Sequence, residues 1–172
     1  MARFVGISSI SFDNCGYGIE GSFADKINKA NKAIEVWGDF IDTAALDKPD
    51  IILLPEEFLV AGMECPKIDV AEVLPEGGRV TSFLSEKAKK YNTHIFACYY
   101  RKDKKGIYNS AVLFDRKGKI NNVYDKTFPV DSEMEKHQIL PGKGAKIFKT
   151  DFGNIGAMIC FDINFMELLA EY

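Results

Sequence analysis

Apolar residues return at steps of four and three from Phe23 through Ile27, Ala30, Ile34, Trp37 and Ile41 to Ala44, which predicts one face of a long amphipathic helix. Ser22 and Asp25 form a candidate capping box at its start, and Pro49 predicts its end. Only this segment carries the stripe, so it is assigned to a core-covering helix and not to a coiled coil. Before it, Arg3–Ile10 predicts an opening buried strand. After it, Asp50–Leu54 is a continuous apolar run of the kind buried on both faces of an α/β sheet, and it breaks abruptly into Pro55, Glu56 and Glu57. A loop through Gly62, Pro66, Pro75, Gly77 and Gly78 leads to a second helical stripe, Val80, Phe83, Leu84, Ala88 and Tyr91. His94–Tyr100, Tyr108–Asp115 and Ile120–Tyr124, separated by KDKKG and RKGK, predict an antiparallel meander. A long loop over Lys126–Gly144 precedes a strand at Ala145–Thr150 and a final strand ending at Cys160. Phe165, Leu168, Leu169 and Tyr172 then mark one face of a helix that no Gly, Asn or Pro closes.

With 47% apolar and 12% aromatic residues, the 172-residue chain predicts one soluble α/β domain with a substantial core. A net charge of −3 argues against a nucleic-acid partner. No apolar run approaches the roughly 20 residues that span a bilayer, and the N-terminus lacks a signal-peptide pattern, so a cytoplasmic protein is expected. Cys15, Cys65, Cys98 and Cys160 are scattered without a C-x-x-C pair and only two histidines occur, which predicts free thiols with no disulfide framework and no metal site. Lys102, Lys104, Lys105, Lys117 and Lys119 fall mainly in the meander's turns and are assigned to solvated hairpin tips.

Three reactive positions sit at strand ends, where open α/β sheets place their sites: Glu56, Lys126 and Cys160. Singly, each has a plainer reading: a small buried thiol, a solvated carboxylate, a surface ammonium. Together they are chemically complementary. A thiol with a pKa of about 8.5 is mostly protonated at neutral pH, so a nucleophilic cysteine needs a base and profits from a cation.

The segments DIILLPEEF, VYDKTFPV and GAMICFDINFMEL resemble the three successive signatures of the nitrilase superfamily, carbon–nitrogen hydrolases of the amidase-like branch that use a Glu-Lys-Cys triad. Tyr108-Asn109 and Pro141-Gly142 also resemble family landmarks. The resemblance implies Glu56 as base, ahead of its neighbour Glu57, with Lys126 as cation and Cys160 as nucleophile. It further implies a supporting or substrate-orienting carboxylate at Glu133, with Glu135 as a rival, and a backbone N–H of Phe161 assisting Lys126 at the oxyanion. One such preorganised donor is typically worth about 3 kcal/mol. Asp162 is expected to cap the helix beginning near Ile163. The implied reaction cleaves the carbon–nitrogen bond of a small amide or carbamoyl amide through a Cys160 thioester, releasing ammonia or an amine, with no metal or organic cofactor.

The implied fold is an α/β four-layer αββα sandwich, with the chain read as a single domain over 1–172 whose elements beyond the nucleophile helix are missing. Phe161-Asp162 differs from the Trp-Glu pair of nitrilases acting on true nitriles, which favours an amide substrate. Met166 stands where a Pro is common and Phe128-Pro129 where His-Leu often occurs, so substrate class stays open. The alternatives are a catalytically silent relative acting as a binding module, and an unrelated α/β binding module in which the triad is coincidental. An uncovered face of Phe165, Leu168 and Leu169 predicts a homo-oligomer, a dimer or higher.

Overall fold

The computed structural model describes residues 4–11, 23–60 and 66–172, with only the backbone for 23–31. The candidate capping box, the side chains of Phe23, Ile27 and Ala30, Gly62, Cys15 and Cys65 lie outside the described residues.

A mixed six-stranded sheet organises the chain. β1 (Ile7–Ser9), β2 (Ile51–Leu53) and β4 (His94–Lys102) run parallel, and β5 (Ile107–Phe114) and β6 (Ile120–Asp125) continue antiparallel from β4. The short β3 (Glu72–Val73) pairs with the far end of β4. The meander is as the turn signals predict. Its second hairpin requires Gly118 at φ 76°, since a side chain there would run into the Ser85 backbone. β1 departs from expectation: among the described residues it pairs on one side only, with β2, and Phe4, Val5 and Ile7 are exposed instead of buried.

α1 (Phe23–Ala44) and α3 (Arg79–Tyr91) pack on one face of the sheet. The stripe of α1 delivers Ile34, Trp37 and Ile41 into the main core, where Trp37 meets Phe58 edge-on at 5.5 Å. α1 ends at Ala44 in a 3₁₀ turn, Ala45–Asp47, and Lys48 turns left-handed (φ 50°) before Pro49. α2 (Lys67–Val70) lies in the loop after β2. The stretch 126–144 is not wholly loop, because it contains α4 (Asp131–His137).

The opposite face of the sheet carries a second apolar cluster, in which Ile51, Cys98, Leu113 and Tyr124 meet Phe148, Ala157, Ile159 and Leu168. This layer begins with the hairpin β7 (Phe148–Thr150) and β8 (Gly153–Ile155). The predicted last strand stops at Ile155. Residues 156–159 join no ladder among the described residues, and Tyr172 Oη instead donates to the Ala157 carbonyl (2.6 Å) and accepts its N–H (3.2 Å). A 3₁₀ turn over Cys160–Asn164 precedes α5 (Met166–Glu171), so helix begins later than predicted. Its apolar face is only partly uncovered: Leu168 is buried, Phe128 stacks on Phe165 at 3.6 Å, and Leu169 is half exposed. Among the described residues, no helix is long and apolar enough to cross a membrane.

Candidate active site

Pro55 has no N–H to extend β2, so the chain leaves the sheet at the strand's C-terminal end and the glutamates enter a turn. Glu57 is left-handed (φ 52°), and the two adjacent carboxylates find different partners. Glu56 Oε1 accepts Lys126 Nζ at 2.9 Å and Asn109 Nδ2 at 2.8 Å. Glu57 accepts the Tyr100 hydroxyl and lies 3.5 Å from Lys67 Nζ. Of the pair, Glu56 faces the cluster.

Lys126 follows β6 directly. Its N–H donates to the Asn109 carbonyl and its carbonyl accepts the Gly142 N–H, both at 2.8 Å, so the backbone is held on two sides. Gly142 is required there, because any side chain would run into the Asp125 carbonyl, which gives Pro141-Gly142 a steric meaning. The Lys126 side chain is 2% exposed and spans Glu56 and Glu133, with Glu133 Oε2 at 2.8 Å. Burial disfavours its charge, but the two carboxylates outweigh that and hold its pKa above the ordinary lysine value.

Glu133 sits in the first turn of α4. Its carboxylate accepts the Val130 N–H at 2.9 Å, Lys126, and Asn109 Nδ2 at 2.8 Å. Being tied to the start of its own helix, it is fixed before it meets the lysine. Glu135, on the same helix, is exposed.

Cys160 opens the 3₁₀ turn with φ 47°, an uncommon conformation for a side chain of this kind. It is exposed, unlike Cys98, the small buried thiol. Burial by its immediate neighbours, the Glu56 charge and a hydrogen bond to Glu56 push the Cys160 thiol up, while Lys126 and the Phe161 N–H facing the sulfur oppose this. Glu56 is thus the carboxylate that acts on the Cys160 thiol. A cleft of about 290 Å³ lies beside it, lined by Leu53, Glu56, Phe96, Cys98, Met158 and Cys160. The Phe161 side chain is 41% exposed.

Asp162 does not cap the following helix. It is fully buried, and its carboxylate reaches back to accept the Ile159 N–H (2.9 Å), the Phe128 N–H (2.8 Å) and the Tyr124 hydroxyl (2.7 Å). It thus ties the turn bearing Cys160 to the segment following Lys126. Asn109, of the Tyr108-Asn109 pair, reaches the site through its side chain. One amide nitrogen serves both Glu56 and Glu133, and its carbonyl accepts the Cys98 thiol at 3.2 Å. A carboxamide inside IYNSAVLF, a strand buried at every position, is the signal that points to it. Among the described residues, no group of three or more His, Cys, Asp or Glu side chains is placed to hold a metal ion.

The sequence pattern of the carbon–nitrogen hydrolase family matches residues 15–172. The chain is 35% identical over 124 residues to a probable nitrilase of Schizosaccharomyces pombe, covering 69% of this chain and 44% of that protein. It is 29% identical over 156 residues to a citrullinase of Francisella tularensis, covering 87% and 53%. A solved carbon–nitrogen hydrolase of Helicobacter pylori aligns with a TM-score of 0.77 at 27% identity, covering 97% of this chain and 55% of that one. The chain spans about half the length of these relatives.

Proposed function

The chain belongs to the carbon–nitrogen hydrolase family, with its mixed α/β fold of the αββα sandwich type, and on that premise we propose that it hydrolyses a non-peptide carbon–nitrogen bond through Glu56, Lys126 and Cys160. The observation that carries the reading is the buried Lys126 held between two carboxylates, one of which, Glu56, lines a cleft together with an exposed, left-handed Cys160.

Glu56 takes the Cys160 proton as the sulfur attacks the carbonyl carbon of a small amide. The Lys126 ammonium and the Phe161 N–H stabilise the tetrahedral oxyanion. Protonated Glu56 returns the proton to the departing nitrogen, which leaves as ammonia or an amine, and an acyl thioester remains on Cys160. Glu56 then activates water, which releases the acid and restores the thiol. Glu133 holds Lys126 in place and compensates its charge. The Lys126–Glu56 pair beside an exposed thiol supports a base-assisted nucleophile over a binding module.

The substrate class is a small amide or carbamoyl amide, and the citrullinase and amidase names among the relatives support that choice. A reducing, cytoplasmic setting suits a free nucleophilic thiol. Exposed Phe161, Ile163, Met166 and Leu169 support self-association. In the experiment that tests the reading, wild type and Cys160→Ala are compared for ammonia release from small amides and for labelling by an electrophile. Loss of both in the variant is expected, and unchanged turnover would sink the reading.

A further inference from the structure

Glu57, Lys67 and Tyr100 take no part in the proposed chemistry, yet they form a contact group beginning at the residue next to the base. Tyr100 and Asn109 are register partners across β4 and β5. Asn109 holds Glu56, and Tyr100 holds Glu57. Lys67 completes the second half: it is 5% exposed, 3.5 Å from Glu57, and its ammonium lies 5.2 Å from the centre of the Tyr100 ring. A buried ammonium is retained only where it is compensated, and a left-handed glutamate only where its surroundings fix it. The Lys67–Glu57–Tyr100 group meets both conditions and turns the adjacent carboxylates toward separate partners.

We propose that Lys67 is a positioning residue for Glu56: by compensating Glu57 against Tyr100, it keeps the second carboxylate from competing for Lys126 and the Cys160 thiol. The proposal rests on the reading of Glu56 as the base. Burial pushes the Glu57 carboxyl up, Lys67 draws it down, and the Glu56 and Glu133 charges push it up again, so Glu57 is electrostatically joined to the site. The charged and titratable groups around Glu57 and Cys160 are Glu56 after β2, Cys98 and Tyr100 of β4, Lys126 after β6, Glu133 of α4 and Lys67 of α2. Removing Lys67 leaves three carboxylates facing one ammonium, which disfavours a thiolate. Removing the Glu57 charge does the reverse.

Wild type, Lys67→Met, Lys67→Arg and Glu57→Gln are treated with iodoacetamide from neutral to alkaline pH, and the adduct on the Cys160 peptide is quantified by mass spectrometry. The alkylation midpoint is expected to rise by about half a pH unit in Lys67→Met, to fall by a similar amount in Glu57→Gln and to stay in place in Lys67→Arg. Glu57→Gln carries the test if Lys67→Met does not fold. Midpoints equal to wild type in both charge-removing variants, or a Lys67→Arg midpoint displaced as far as that of Lys67→Met, would overturn the proposal. Alkylation needs no turnover, so failure of the hydrolysis reading is recorded separately, by ammonia release that persists in Cys160→Ala.

Discussion

Asn109 donates its side-chain amide to Glu56 at 2.8 Å from a strand position buried on every side, and the same nitrogen reaches Glu133 at 2.8 Å. One neutral donor therefore holds the two carboxylates that flank Lys126. Asn109→Leu keeps the volume and removes the donor. The variant is expected to lose about 2–3 kcal/mol of stability, as for hydrogen bonds to charged groups, and to alkylate more slowly at Cys160. Urea unfolding with an unchanged slope checks the first expectation, and adduct mapping checks the second.

The turn bearing Cys160 depends on Asp162, which accepts three donors while fully buried. Asp162→Asn turns an amide N–H₂ toward donors and is expected to cost about 2 kcal/mol, against about 1 kcal/mol for Tyr124→Phe, which takes one of the three donors from Asp162 together with the hydroxyl's contacts to Thr127. Denaturant melts of the two variants should keep that order. Equal losses would show that the carboxylate is not the organising group.

Lys126→Met leaves Glu133 buried beside a methyl group and is expected to destabilise the fold by about 3–5 kcal/mol at neutral pH. The carboxylates raise the Lys126 pKa in the folded state. Its ionic contribution is therefore fully present below the unfolded value of about 10.4 and is lost as pH rises through the higher folded value. The stability gap between wild type and Lys126→Met should stay constant through the neutral range and close only in strong alkali. A gap that closes near neutrality would contradict the buried ion pair.

Burial raises the Cys98 thiol far above the usual range and keeps it inside the sheet, whereas Cys160 is exposed. Native protein is expected to alkylate at Cys160 at least about tenfold faster than at Cys98. Peptide mapping over time measures the ratio, and unfolding should abolish it.

Much of this was legible in the chain because periodicity carries it. The α1 stripe buries Ile34, Trp37 and Ile41, and turn residues set the meander. The breaks at Pro55-Glu56, Lys126 and Cys160 bring those three side chains to one end of the sheet. What the sequence concealed is tertiary. The seven-residue α4 is too short and polar to show a stripe, so the residues alone do not separate Glu133, which the resemblance implied, from its rival Glu135, and the contact with Lys126 does. Asp162 lies before a helix like a cap, yet its strongest donors come from Tyr124 and Phe128, more than thirty residues earlier. Residues 156–159 extend an apolar run from Ile155, but strand structure also requires a neighbour to pair with, and none of the described residues pairs with them.

The central claim is that Cys160 forms a covalent acyl intermediate with Glu56 as its base. Its most direct test is acid-quenched mass spectrometry of the protein incubated with a panel of small amides and carbamoyl amides, with Cys160→Ala and Glu56→Gln alongside. The predicted result is a mass increase equal to the substrate acyl group on the Cys160 peptide, matched by ammonia or amine release and absent from both variants. An acyl adduct on another residue, or release that continues in Cys160→Ala, would contradict the account.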